Sequence, residues 1–91
     1  MRTTVSYLNG TMRNSRSKGY ISWREWWESL NGRFKNCACV DCSNKAEVGG
    51  LVMPVYGFPE WYVIPLCRDC NRKRENDKFD VWQEDMQAVN S

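Results

Sequence analysis

The chain has 91 residues, 42% of them hydrophobic and 13% aromatic, with 13 Lys and Arg against 11 Asp and Glu and no histidine. That length allows one small domain with a modest core, for which an added staple is expected. No apolar run reaches membrane-spanning length, the first residues carry no apolar signal region, and the five cysteines are an odd number. A spanning helix and a disulfide framework are therefore disfavoured, and a reducing cytoplasm with bound metal is expected.

In chain order, residues 1–8 suit a short edge strand in which Val5 and Tyr7 pack. Residues 9–19, N-G-T-M-R-N-S-R-S-K-G, are turn formers with three cations and no apolar period; they read as a basic loop, either a surface linker or a phosphate-contacting part of a basic N-terminal arm over 1–19. Ser22 followed by Glu25 is a capping box and predicts a helix to about Asn31, with Gly32 ending the regular part of the 22–35 segment. Trp23, Trp26, Trp27, Leu30 and Phe34 recur at helical spacing as one apolar stripe. This is a core face more readily than a base-stacking one, because indoles bury much area in a small domain.

Val48, Leu51, Val52 and Met53 predict a strand in which Gly49-Gly50 marks a bulge or a close backbone approach, and Pro54 marks its end or an edge. Gly57 to Pro59 form a turn, and Glu60 to Leu66 is the return strand. Asp69 is a candidate helix cap that places Cys70 in a first turn, followed by Arg72, Lys73 and Arg74. Asp80 with Gln83 predicts a last helix over 80–89, with Phe79, Trp82, Met86 and Val89 near one face.

Two C-x-x-C pairs, Cys39/Cys42 and Cys67/Cys70, stand 24 residues apart. A two-residue spacer lets both thiolates reach one ion, and two such turns complete a tetrahedral four-sulfur zinc site. The run C-A-C-V-D-C also offers Cys37 as the partner of Cys42. The spacing favours Cys39 and leaves Cys37 as a spare or buried thiol.

A zinc turn, a hairpin and a second zinc turn leading into a helix resemble a treble-clef finger. The stretch E-W-Y-V-I-P-L-C-R-D-C-N, residues 60–71, is similar to the second half of an HNH endonuclease motif, with C-V-D-C and G-G-L-V upstream. The resemblance covers about residues 37–79. It implies a small α+β fold: a treble-clef (ββα) zinc finger flanked by the Trp-rich helix and a C-terminal helix, in one zinc-stabilised domain over 1–91. It also implies that Asn71 is a motif remnant and that Leu51 occupies the position of the catalytic histidine. Leucine neither takes a proton nor binds metal, so the chemistry is expected to be lost.

Charge is unevenly placed. Residues 1–38 carry Arg2, Arg13, Arg16, Lys18, Arg24, Arg33 and Lys35 against Glu25 and Glu28, whereas residues 75–91 are acidic apart from Lys78. The expected function is a non-catalytic nucleic-acid-binding module, with DNA phosphates met by Arg13, Arg16, Lys18, Arg68, Arg72, Lys73 and Arg74. Such relics suit a phage or mobile element, acting in the host cytoplasm. The alternative is an inhibitor or adaptor that docks on a host nucleic-acid-processing protein through exposed aromatics. A third reading is a residual hydrolase using Glu47, Asp69, Glu75 or Asp77 with Mg²⁺.

Overall fold

A computed structural model of the chain describes residues 1–7, 19–57, 59–73 and 78–89. Its strands are β1 (Arg2–Tyr7), β2 (Val48–Pro54), β3 (Tyr62–Leu66), β4 (Lys78–Trp82) and β5 (Gln87–Ala88). The helices are α1 (Trp23–Asn31) and α2 (Arg68–Lys73), with a 3-10 turn at Gln83–Asp85. The strands form one antiparallel sheet in the order β4-β1-β2-β3-β5.

This corrects the expected architecture. The fold is sheet-dominated with two short helices, in place of a ββα treble clef between flanking helices. The predicted C-terminal helix is instead the end of β4, the 3-10 turn and β5. The reason lies in K-F-D-V-W, where Phe79 and Val81 are buried while Lys78 and Trp82 face outward. That period of two outweighs the Asp80/Gln83 capping pattern. β1 is not an edge strand, since it lies between β4 and β2 with Val5 and Tyr7 buried.

Alternation along the strands makes two cores. Val5, Tyr7, Val52, Ile64, Leu66, Phe79 and Val81 gather on one side with the cysteines. Leu51, Val63 and Val89 face the other way and meet Trp23, Trp26 and Trp27 of α1. α1 starts as expected: the Ser22 hydroxyl accepts from the Glu25 amide at 3.2 Å, and Gly32 closes it at φ 88°. The stripe is narrower than predicted, because Leu30 is 56% exposed. The helix ends at Asn31, and the residues it buries are the three indoles of its first turns.

Gly49 and Gly50 form no bulge; they pair in register with Pro65 and Ile64. The close-approach alternative holds instead. A Cβ on Gly49 would meet the Arg24 amide nitrogen at 2.7 Å and the Trp23 carbonyl carbon at 2.8 Å. The start of α1 therefore rests directly on β2. Gly49→Ala must displace backbone and is expected to cost about 1–3 kcal/mol, read as a lower urea midpoint with an unchanged slope.

The stretch between α1 and β2 ties β3 to the edge strand β4 across the sheet. The Ala38 amide donates to the Pro65 carbonyl of β3, and the Val40 amide donates to the Asp80 carbonyl of β4. The Trp82 amide donates back to the Ala38 carbonyl. Cys39 forms a bridge with Val81, and Asn36 with Lys45 closes the loop at its base. A segment rich in cysteine is thus held over the buried face of the sheet, which positions the site below. Among the described residues no helix is long and apolar enough to cross a membrane.

Candidate metal centre

The Sγ atoms of Cys37, Cys42, Cys67 and Cys70 all lie within 4.8 Å of one another and can hold a metal ion. The group differs from the expected set in one member, with Cys37 standing where Cys39 was predicted. Cys39 is fully buried and fixed by its bridge to Val81. It shares one buried cluster with Cys37 and Cys70. The chain bends at Ala38, between Cys37 and Cys39, so the two thiols are presented differently. Spacer length alone did not show which would reach the ion.

Two pieces of chain deliver the ligands. Cys37 and Cys42 come from the loop closed by Asn36 and Lys45, in which the Cys37 amide donates to the Asn44 carbonyl at 2.8 Å. The Cys42 amide donates to the Cys39 carbonyl at 3.1 Å, a tight turn that brings Cys42 back. Cys67 and Cys70 come from the junction of β3 and α2. Asp69, the expected cap, is inside α2. Cys67 precedes α2, and its sulfur accepts from the Cys70 amide at 3.4 Å. The Asn44 side-chain amide also points to the Cys67 sulfur, at 3.7 Å. Such N–H donors orient a sulfur ligand toward the centre of the cluster.

The thiols influence one another strongly. The Cys39 S–H donated to Cys37 draws Cys37 down to about 4, while that donation and burial push Cys39 up. Burial raises Cys42 and pushes Cys70 up to about 12. A cation at the centre would compensate the gathered charge, and its binding would release protons.

Beside the cluster runs a groove of about 530 Å³, into which Cys37 and Cys42 open. Arg33, Lys35, Trp27 and Trp82 line it, and Glu84 and Asp85 also contribute. Trp82 is 38% exposed. The Trp27 indole N–H donates to the Asp85 carbonyl at 3.0 Å, tying α1 to the 3-10 turn. Burial, followed by the charges of Glu84 and Cys37, raises the Asp85 carboxyl above the usual aspartate range. Its charged form is disfavoured in the folded state, so stability is greatest below the ordinary aspartate pKa. It falls as pH rises from there through the raised folded value. Asp85→Asn is expected to raise the thermal midpoint at pH 7 and to match the parent below about pH 4.

The other predicted positions scatter. Leu51 is fully buried against α1, whereas Asn71 accepts from the Tyr7 hydroxyl on the cysteine side of the sheet. The two motif remnants therefore face opposite cores. Arg68 is exposed and pairs with Glu47 at 2.9 Å; Arg72 is exposed on α2. Lys73 ends α2. Arg13, Arg16, Lys18, Arg74, Glu75 and Asp77 lie outside the described residues. Arg33 and Lys35 were counted only as part of a basic front; their place beside Trp82 depends on the sheet-closing segment, which no local pattern announces. No protein-family model, curated protein or solved structure matches the chain.

Proposed function

We propose that the chain is a non-catalytic, zinc-stabilised module that binds nucleic acid through the groove beside its metal site. A zinc–sulfur bond of about 2.3 Å sets tetrahedral sulfur–sulfur edges of about 3.8 Å. The Cys42 and Cys67 sulfurs stand 3.7 Å apart. Four thiolates would fill every position of such an ion and leave none for substrate, so its role is to hold the fold. With no histidine in the chain and Leu51 sealed beneath α1, the chain has no imidazole to act as a general base.

The observation that carries the binding reading is the groove itself. Arg33 and Lys35 supply phosphate contacts, and the half-exposed Trp82 indole supplies a stacking surface for a base. Glu84 and Asp85 oppose phosphate at their part of the wall and can accept from base amino groups. The test is fluorescence anisotropy with a labelled single strand and a labelled duplex across a salt series. The parent should bind with steep salt dependence. Arg33→Glu with Lys35→Glu should lower the single-strand slope by about 1.4, and Trp82→Ala should cost about 1–3 kcal/mol. No detectable binding of either probe at low salt would overturn the reading and direct the search to a protein partner.

A further inference from the structure

We propose that a pocket at the open end of the cysteine-side core receives an arginine side chain presented by a partner protein. The inference is independent of the metal and groove readings above. Thr3, Pro54 and Tyr62 share a face with Val5, Val52 and Ile64, since Val5 pairs with Pro54 and Val52 with Tyr62. They end that face at the end of β3 away from Cys67. There the core opens into a cavity of about 390 Å³, completed by Tyr56, Glu60, Gln83 and Met86. The 3-10 turn divides it from the groove: Gln83 lines the pocket, whereas Glu84 and Asp85 line the groove.

The lining selects for a cation. Glu60 carries the one charge on the wall. The Tyr62 hydroxyl donates to its Oε2 at 3.4 Å, and among the described residues no cation pairs with that carboxylate. Two tyrosines beside one carboxylate attract a cation through ring faces and charge together. An anion would meet Glu60 directly, and an apolar ligand would bury its charge unpaired. A guanidinium fits better than an ammonium. Its planar fork of five N–H donors can use both Glu60 oxygens and still reach the oxygens of Thr3 or Gln83. A quaternary ammonium has no N–H and would leave those acceptors unmet. Pro54 and Met86 give an apolar wall for the arginine methylenes. Tyr56 is 81% exposed beside the Gly57 turn, so the rim is open and the partner's backbone stays outside.

The experiment is an NMR titration of the full chain, purified under reducing conditions, followed by its backbone amide spectrum. The probes are end-blocked Gly-Arg-Gly, Gly-Lys-Gly and Gly-citrulline-Gly peptides, and free arginine. The arginine peptide should bind with millimolar affinity and shift the amides of Tyr56, Glu60, Tyr62 and Met86. The lysine peptide should bind more weakly. The citrulline peptide keeps the shape without the charge and should lose about tenfold. Glu60→Gln and Tyr56→Ala should each weaken the arginine peptide severalfold while the rest of the spectrum stays native, because neither side chain belongs to a buried core. Equal binding of the arginine and citrulline peptides, shifts confined to Glu84 and Asp85, or no shifts at all would overturn the inference and leave the metal and groove readings in place. Tighter binding of free arginine than of the peptide would overturn the protein-borne source.

Discussion

Removal of the metal is expected to unfold the chain. Cys37 and Cys42 sit on the loop that bridges β3 and β4, and Cys67 and Cys70 sit where β3 enters α2. A metal ion held by these sulfurs would join the pieces at the buried face of the sheet, where the cysteines pack with Val5, Ile64 and Leu66. Structural zinc contributes about 10–16 kcal/mol of binding free energy at pH 7 in small peptides, as large as the whole stability of an ordinary domain. The indole core around α1 buries too few residues to hold a sheet of this size alone. A thermal melt followed by near-ultraviolet circular dichroism should lose its cooperative transition after treatment with a strong chelator. Cys67→Ser should behave likewise, because it removes the sulfur that also accepts from Asn44 and from the Cys70 amide. A chelated chain that melts cooperatively at the parent temperature would contradict the structural role of the metal.

Leu51→His is expected to destabilise the chain by about 3 kcal/mol or more without creating a nuclease. Leu51 is fully buried, paired with Val63 across β2 and β3, and packed with Trp23, Trp26 and Trp27. An imidazole there gives up the leucine's apolar packing and buries ring nitrogens among indoles. A buried donor or acceptor without a partner costs about 1–3 kcal/mol by itself. The histidine would also face α1, on the opposite side of the sheet from Asn71. Urea denaturation measures the loss, and plasmid incubation with Mg²⁺ or Mn²⁺ measures activity. Cleavage gained by the variant would contradict the placement of Leu51 and Asn71 on opposite faces of the sheet.

Local patterns in the chain reveal its elements better than their assembly. Ser22, Glu25 and Gly32 mark the bounds of α1 because capping is a short-range effect. Val48–Pro54 and Tyr62–Leu66 read as strands from their β-branched and aromatic residues, but their central place in a five-stranded sheet does not. The pairing of β1 with β4 joins the two ends of the described chain, Arg2 opposite Trp82, and no local signal announces it. The C-terminal helix fails for a related reason. Asp80 and Gln83 satisfy a capping rule, yet Phe79 and Val81 gain more by burial on β4.

The candidate site divides the same way. Cysteine pairing suggested a four-sulfur centre, and three of the expected ligands, Cys42, Cys67 and Cys70, come together. The fourth is decided by the bridge between Cys39 and Val81, a contact 42 residues long in sequence that spacer length cannot encode. The groove lined by Arg33, Lys35 and Trp82 likewise exists only once β4 meets the cysteine arm.

The most direct test of the central claim is native mass spectrometry of the chain purified under reducing conditions, paired with alkylation before and after chelation. One zinc ion per compact chain, with the four clustered cysteines protected until the metal is removed, is the predicted result. A compact chain that carries no metal, with those cysteines freely alkylated or joined as disulfides, would contradict it.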